Sequence, residues 1–184
     1  MKPAVFLDRD GALIEEKEYL SRPEDLAFFP STIPALRRLA EAGFSLFVVT
    51  NQSGVGRGYF TMADVEKVHQ RMLSELAAAG VDLAKIYVAP EAPNQPSRGR
   101  KPSPQFLFDA RDEFSVDLGR SYMVGDKLID LECGWNAGAR RALLVRTGYG
   151  AMVERDSSAR LGDAVVVDNI ARAADWILQD ARSV

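Results

Sequence analysis

Short apolar runs alternate with amphipathic stretches along the whole chain. Val5-Phe6-Leu7, Ser45-Leu46-Phe47-Val48-Val49, Lys85-Ile86-Tyr87-Val88-Ala89, Tyr122-Met123-Val124, Ala142-Leu143-Leu144-Val145 and Val165-Val166-Val167 each read as a buried strand. They are too short for helices, rich in β-branched and aromatic residues, and continuous rather than alternating, as strands covered on both faces are. The stretches between them change to a helical period. Ser31 stands as an N-cap with Pro34 in the first turn, Ile33, Leu36, Leu39 and Ala40 form an apolar face, and Gly43 closes it. Thr61 and Asp64 have the spacing of a capping box for a helix to about Ala79, with Val65, Val68, Met72, Leu73 and Leu76 inward and Gly80 at its end. Ser103 and Pro104 open a third helix with Phe106, Leu107 and Ala110 inward, Leu128 to about Ala137 forms a fourth before Gly138, and residues 169–182 form a closing one. Strand, helix, strand in repetition predicts a parallel α/β sheet, doubly wound and Rossmann-like. Residues 12–30 have no period and are expected to form a flap. Gly54, Gly56 and Gly58 are expected to make a flexible loop, and Pro90 to Pro102 a Pro-rich one. With no internal repeat, low-complexity tract or linker, residues 1–184 are expected to form one domain.

Composition changes this picture little. The chain is 47% hydrophobic and 27% charged with a net charge of −3, and no basic stripe suggests nucleic acid. The apolar runs fall far short of a membrane span, and the N-terminus lacks the apolar core of a signal peptide. The single Cys133 excludes an intrachain disulfide and fits a reducing cytoplasm, the expected location. Cys133 is expected to be a small buried residue on its helix, and His69, the one histidine, a helix residue rather than a catalytic base. No exposed apolar face can be identified, and a monomer is expected.

The chemistry gathers where strands end. The first strand stops on Asp8-Arg9-Asp10-Gly11, where a two-residue period lets Asp8 and Asp10 face one ligand. Two anions so close call for a cation, most simply Mg²⁺ with its oxygen ligands. The pair alone is equally compatible with a polar turn or with the DxD of metal-dependent glycosyltransferases. Further polar groups follow in order: Thr50-Asn51-Gln52-Ser53 after the second strand, Lys101 before the fourth, and Asp126 and Asp130 after it. A parallel sheet brings such ends to one edge. Carboxylates, a hydroxyl and an ammonium together suit phosphoryl transfer. A response-regulator receiver is disfavoured because no lone Asp ends a later strand, and no P-loop Gly-Lys-Ser/Thr occurs.

In FLDRDGALI, VVTNQSGVGRGYF, GRKPSP, YMVGDKLIDLECGWNAG and LLVRTGYG, the sequence resembles the haloacid-dehalogenase-like (HAD) phosphatases over residues 4–150. It is most similar to their small branch without a cap domain, which holds the heptose 1,7-bisphosphate and histidinol-phosphate phosphatases. The resemblance implies Asp8 as nucleophile and Asp10 as general acid and base, with Thr50 and Lys101 on the phosphoryl oxygens. It implies Mg²⁺ held by Asp8, the Asp10 carbonyl and Asp126. Glu16, Lys17, Glu18 and Tyr19 of the flap, Asn51, Gln52 and Ser53, and Arg100 and Lys127 fall where the family meets substrate. Asp130 is either support for the metal shell or an exposed first-turn acid, and Arg98 is expected to be a solvated loop charge.

The implied substrate is a small phosphorylated sugar, foremost heptose 1,7-bisphosphate cleaved at its 7-phosphate. The alternatives are histidinol phosphate or another small phosphoester, and, in a different class, a phosphate-binding protein without turnover. One departure stands out. The family's zinc-loop positions fall on Ala89, Glu91, Ser97 and Gly99, where no thiolate or imidazole remains, so zinc is not expected.

Overall fold

The computed structural model describes residues 1–183. Its core is a six-stranded, all-parallel sheet of β1 (Ala4–Leu7), β2 (Ser45–Asn51), β3 (Lys85–Ala89), β4 (Tyr122–Gly125), β5 (Arg141–Val145) and β6 (Val165–Val167). The strand order is β3-β2-β1-β4-β5-β6. Seven α-helices are described: α1 (Thr32–Glu41), α2 (Ser53–Gly56), α3 (Met62–Ala78), α4 (Gln105–Phe114), α5 (Leu128–Asn136), α6 (Gly150–Asp156) and α7 (Ile170–Asp180). The chain winds outward from β1 to β3 and then returns to β4 on the other side of β1. That reversal opens a crevice at the carboxyl ends of β1 and β4, where such folds bind ligands.

The pleat sorts the two cores. Val5 and Leu7 face one layer with Leu36 and Leu39 of α1, Val68, Met72 and Leu76 of α3, and Ile170 and Ile177 of α7. Ala4 and Phe6 face the other, with Leu107 and Ala110 of α4 and Cys133 of α5. This is the doubly wound α/β architecture, and the described residues form no separate cap domain.

Several local expectations are corrected. Ala12, Leu13 and Ile14 are fully buried in the core, so the flap begins only at Glu15. Residues 53–56 form one helical turn rather than a loose glycine loop, because the backbone closes on itself with Arg57 N–H donating to Ser53 C=O at 3.0 Å. Ser31 precedes α1, but its side chain makes no capping bond. Helix α4 starts at Gln105, one residue after Pro104, with Ser103 Oγ accepting the Gln105 N–H at 3.3 Å. Leu73 is 39% exposed, its inward place on α3 taken by His69. The Thr61/Asp64 capping box forms as expected. Helix α6 has no counterpart in the sequence reading, since its seven residues carry too little period to signal a helix. No helix among the described residues is long and apolar enough to cross a membrane.

Candidate active site

Strand ends build the site. Beyond β1, Asp8 is 5% exposed, and beyond β4, Asp126 and Asp130 are 0% exposed. Their carboxylates approach so closely that one oxygen from each lies within 4.8 Å of the others. Lys101 is the main counter-charge. Its Nζ donates to Asp8 Oδ1 at 2.6 Å and to the Val49 carbonyl at 2.7 Å, and lies 2.6 Å from Asp130 Oδ1. Asp130 Oδ2 also accepts the Lys127 N–H at 2.9 Å, so Asp130 caps α5 from a buried position and is not an exposed acid.

Asp126 Oδ2 accepts the Tyr149 N–H at 2.8 Å, but its Oδ1 is buried with no hydrogen-bond donor among the described residues, and Lys127 Nζ stands 3.8 Å away. Burial, and then the charge of neighbouring Asp8, push the Asp126 carboxyl up to about 8. Burial likewise raises Asp8 to about 6, against the opposing pull of Lys101. Carboxyls whose proton affinity is raised in this way, one with an orphaned buried oxygen, lack a positive charge between them. A hard divalent cation with oxygen ligands fits that deficit.

Asp10 is held differently. Arg9 grips its carboxylate with two bonds, Nε to Oδ2 at 2.9 Å and Nη2 to Oδ1 at 3.0 Å. Gln52 Nε2 adds one to Asp10 Oδ2 at 2.9 Å and another to Thr50 Oγ1 at 2.7 Å. Burial raises the Asp10 carboxyl, but Arg9 and Gln52 together outweigh it and hold it below the ordinary value. Thr50 uses its oxygen as acceptor from Gln52, which leaves its hydroxyl proton free to donate.

Asp8, Asp10, Gln52, Ser53, Lys101 and Asp130 line one cleft of about 380 Å³, whose mouth carries Glu16, Glu18, Tyr19, Arg100 and Lys127. Lys127 Nζ donates to Glu16 Oε2 at 3.0 Å and sits 4.8 Å over the Tyr149 ring, joining the flap to the β4–α5 turn. Tyr19 packs edge-on to Tyr59 at 4.7 Å. Arg100 Nη1 donates to the Glu91 carbonyl at 2.9 Å. Asn51 lines the cleft, but its amide is occupied in clamping the Lys101 backbone, accepting its N–H at 3.0 Å and donating to its carbonyl at 3.2 Å. Lys17 does not join the cleft; its exposed ammonium pairs with Glu15 Oε2 at 2.8 Å. Arg98, expected to be solvated, is exposed but ion-paired with Asp109.

Sequence reasoning missed Tyr149, Ile129 and Phe60, which also line the cleft, and Arg9 and His69 behind it. The signal for Tyr149 was its place in Thr147-Gly148-Tyr149-Gly150 after β5, at the same sheet edge as the other polar ends.

Comparison with known proteins agrees with this geometry. A polynucleotide kinase 3 phosphatase family model matches residues 3–130 and a HAD-hydrolase-like model residues 99–173. The D-glycero-beta-D-manno-heptose-1,7-bisphosphate 7-phosphatase of Escherichia coli (strain K12) is 39% identical over 96% of this chain and 88% of its own length. The corresponding 7-phosphatase of Thermosynechococcus vestitus is 38% identical over 96% and 95%. Among solved structures, the D,D-heptose 1,7-bisphosphate phosphatase of B. bronchiseptica, complexed with magnesium and phosphate, superposes with a TM-score of 0.86 at 31% identity over 97% of this chain and 99% of that one. That of Burkholderia thailandensis gives 0.69 at 30% identity, covering 96% and 99%. With a sheet, a site and near full-length relatives in agreement, the chain belongs to the HAD phosphatases and is closely related to the D,D-heptose 1,7-bisphosphate phosphatases.

Proposed function

We propose that this phosphatase removes the 7-phosphate of D-glycero-D-manno-heptose 1,7-bisphosphate, with Asp8 as nucleophile. The observation that carries the reading is Asp8 itself, a buried carboxylate held by Lys101 at the floor of an open cleft. An Asp8 oxygen attacks phosphorus, the bond to the sugar oxygen breaks, and an aspartyl-phosphate forms. Asp10 protonates the leaving oxygen, then takes a proton from the water that attacks the aspartyl-phosphate and frees inorganic phosphate. Asp10 is held below its ordinary value without substrate, but an arriving phosphate dianion raises its proton affinity as any nearby negative charge does. Lys101 and the Thr50 hydroxyl donate to the phosphoryl oxygens as charge shifts onto them. Glu16, Glu18, Tyr19, Ser53, Arg100 and Lys127 form the mouth that meets the sugar.

Asp8, Asp126 and the Asp10 carbonyl would hold Mg²⁺, with Asp130 behind them, and the ion would neutralise charge between nucleophile and phosphate. The Pro90–Pro102 loop holds its shape without zinc in this reading. Ser97 Oγ donates to Glu91 Oε2 at 2.6 Å and accepts the Arg100 N–H at 3.1 Å, while Gln95 Oε1 accepts the Ala92 N–H at 2.7 Å. The chain works as a single cytoplasmic domain over residues 1–184.

The test is phosphate release with Mg²⁺ from heptose 1,7-bisphosphate in both anomers, histidinol phosphate and p-nitrophenyl phosphate, for wild type and Asp8→Asn. The heptose ester is expected to be preferred and Asp8→Asn to be inactive on all. A heptose value no better than the generic ester defeats the substrate assignment. An active Asp8→Asn defeats the nucleophile.

A further inference from the structure

Arg9 is among the largest side chains that the fold seals in completely. A guanidinium has five N–H donors and no acceptor, so each buried nitrogen has to find one. Nε and Nη2 find the Asp10 carboxylate in a two-bond fork, 2.9 and 3.0 Å long. Nη1 lies 2.9 Å from Nε2 of His69 on α3. Because arginine can only donate, Nε2 of His69 carries the accepting lone pair, and the neutral ring keeps its proton on Nδ1. The ring is 8% exposed, and burial together with the charge of Arg9 holds its pKa down to about 4, so it remains an acceptor at neutral pH.

The strand period explains why the two sides meet. Arg9 continues the Val5 and Leu7 face toward the α3 layer, whereas Asp8 and Asp10 continue the opposite phase and reach the cleft. A continuous hydrogen-bonded line therefore runs from His69 through Arg9 and Asp10 to Gln52 and Thr50. With an apolar residue at 69, Nη1 would be buried without an acceptor. The fork would turn to find one and take the Asp10 carboxylate with it.

We propose that His69 and Arg9 are positioning residues for Asp10, the histidine fixing the rotation of the guanidinium fork and the fork fixing the plane of the carboxylate. This rests on the reading of Asp10 as the proton donor to the leaving group. A small rotation there matters, because proton transfer in the transition state requires the acid within hydrogen-bond reach of the departing oxygen.

The readout is leaving-group dependence, which a merely structural role would not move. The parameter kcat/KM covers the steps through departure of the leaving group. A p-nitrophenolate leaves without a proton, whereas a sugar alkoxide needs one. With Mg²⁺ present, His69→Leu is expected to lower kcat/KM for heptose 1,7-bisphosphate on the order of ten-fold, part of what general acid catalysis supplies. It should leave p-nitrophenyl phosphate within about two-fold on the same argument. His69→Gln, whose Oε1 can accept from Arg9, should restore the sugar phosphate value. Should His69→Leu not fold, His69→Asn, too short to reach Nη1, carries the same comparison. Asp10→Asn is the reference and should split the two esters more widely.

If Asp10→Asn splits them and His69→Leu lowers neither or both alike, the positioning assignment is overturned and the acid stands. A glutamine that fails to rescue also overturns it. If Asp10→Asn does not split them, the acid reading itself fails, and the assignment of His69 goes with it.

Discussion

Lys101 Nζ and Asp8 Oδ1 are 2.6 Å apart at a depth where the two side chains are 2% and 7% exposed. The same ammonium stands 2.6 Å from Asp130 Oδ1, so one cation serves two carboxylates. Burial lowers the proton affinity of Lys101, but Asp130 and Asp8 outweigh it and keep the ammonium charged. The cluster is built around this one side chain, and it is short of positive charge even before Asp126 is counted.

Replacing Lys101 with methionine keeps the volume and removes the charge. Breaking a buried pair by deleting one partner is expected to cost about 3 kcal/mol at pH 7.5, since the carboxylates are left uncompensated. The loss should shrink at pH 5, where Asp8 protonates. Activity should fall by roughly 10²–10³, the scale for removing one preorganised donor to a developing charge. Urea unfolding at the two pH values and single-turnover rates check this. A Lys101→Met protein as stable as wild type at pH 7.5 would contradict it.

Metal removal should show the same imbalance. The folded-state values of Asp8 and Asp126, about 6 and about 8, stand above the ordinary 3.8, so folding retains protons that the unfolded chain releases. The metal-free protein is therefore expected to lose stability as pH rises through this range. Mg²⁺ held by the triad would take the place of those protons, and its stabilisation should be larger at pH 8.5 than at pH 6. Asp126→Asn should raise the melting temperature of the metal-free protein and abolish the Mg²⁺ response. Equal Mg²⁺ shifts at both pH values would argue against the acidic triad as the ion's site.

What the sequence made readable follows from what is periodic. Strands such as Ser45–Asn51 and the Thr61–Asp64 box announce themselves locally, and the polar strand ends need only the rule that a parallel sheet gathers them. Contacts between layers are not periodic. Nothing in sequence separation links His69 to Arg9, 60 residues away, or Tyr149 to Asp126, 23 residues away. Glu16, Lys17 and Glu18 stand side by side in a charged flap, and only the fold shows that Glu16 meets Lys127 while Lys17 pairs with Glu15.

His69 also predicts an acid limb in stability. Its value falls from the ordinary 6.5 to about 4 on folding, chiefly through burial and then through the charge of Arg9, with Asp10 opposing. Between these values the unfolded chain binds the proton and the folded one does not, so the His69 contribution to stability falls as pH drops from 6.5 towards 4, opposite in sign to that of Asp8 and Asp126 in the metal-free protein. With saturating Mg²⁺, the expected loss from His69 between pH 7 and pH 5 is roughly 2 kcal/mol. His69→Gln should flatten that limb in denaturant unfolding, and an unchanged slope would exclude His69 as its source.

Two glycines separate strain from chemistry at the proposed ion site. Gly11 has φ +83° and Gly43 has φ +90°, so alanine at either enters the left-handed region and is expected to cost about 1 kcal/mol. The surroundings differ. A Cβ on Gly11 would lie 2.2 Å from Asp126 Oδ2 and 3.2 Å from the Gly148 Cα, whereas one on Gly43 would meet nothing within 4 Å. The Gly11 carbonyl also accepts from Thr147 Oγ1 at 2.6 Å, so backbone movement there disturbs the loop that supplies the Tyr149 N–H to Asp126. Alanine at 11 must therefore drive the Asp126 carboxylate off its support, and alanine at 43 leaves it untouched. Both variants should lose comparable backbone stability, with a further loss in Gly11→Ala from the clash. Only Gly11→Ala should lose the Mg²⁺-dependent rise in melting temperature and the phosphatase activity. If Gly11→Ala keeps a wild-type Mg²⁺ response, the close approach of Gly11 to Asp126 has no bearing on ion binding.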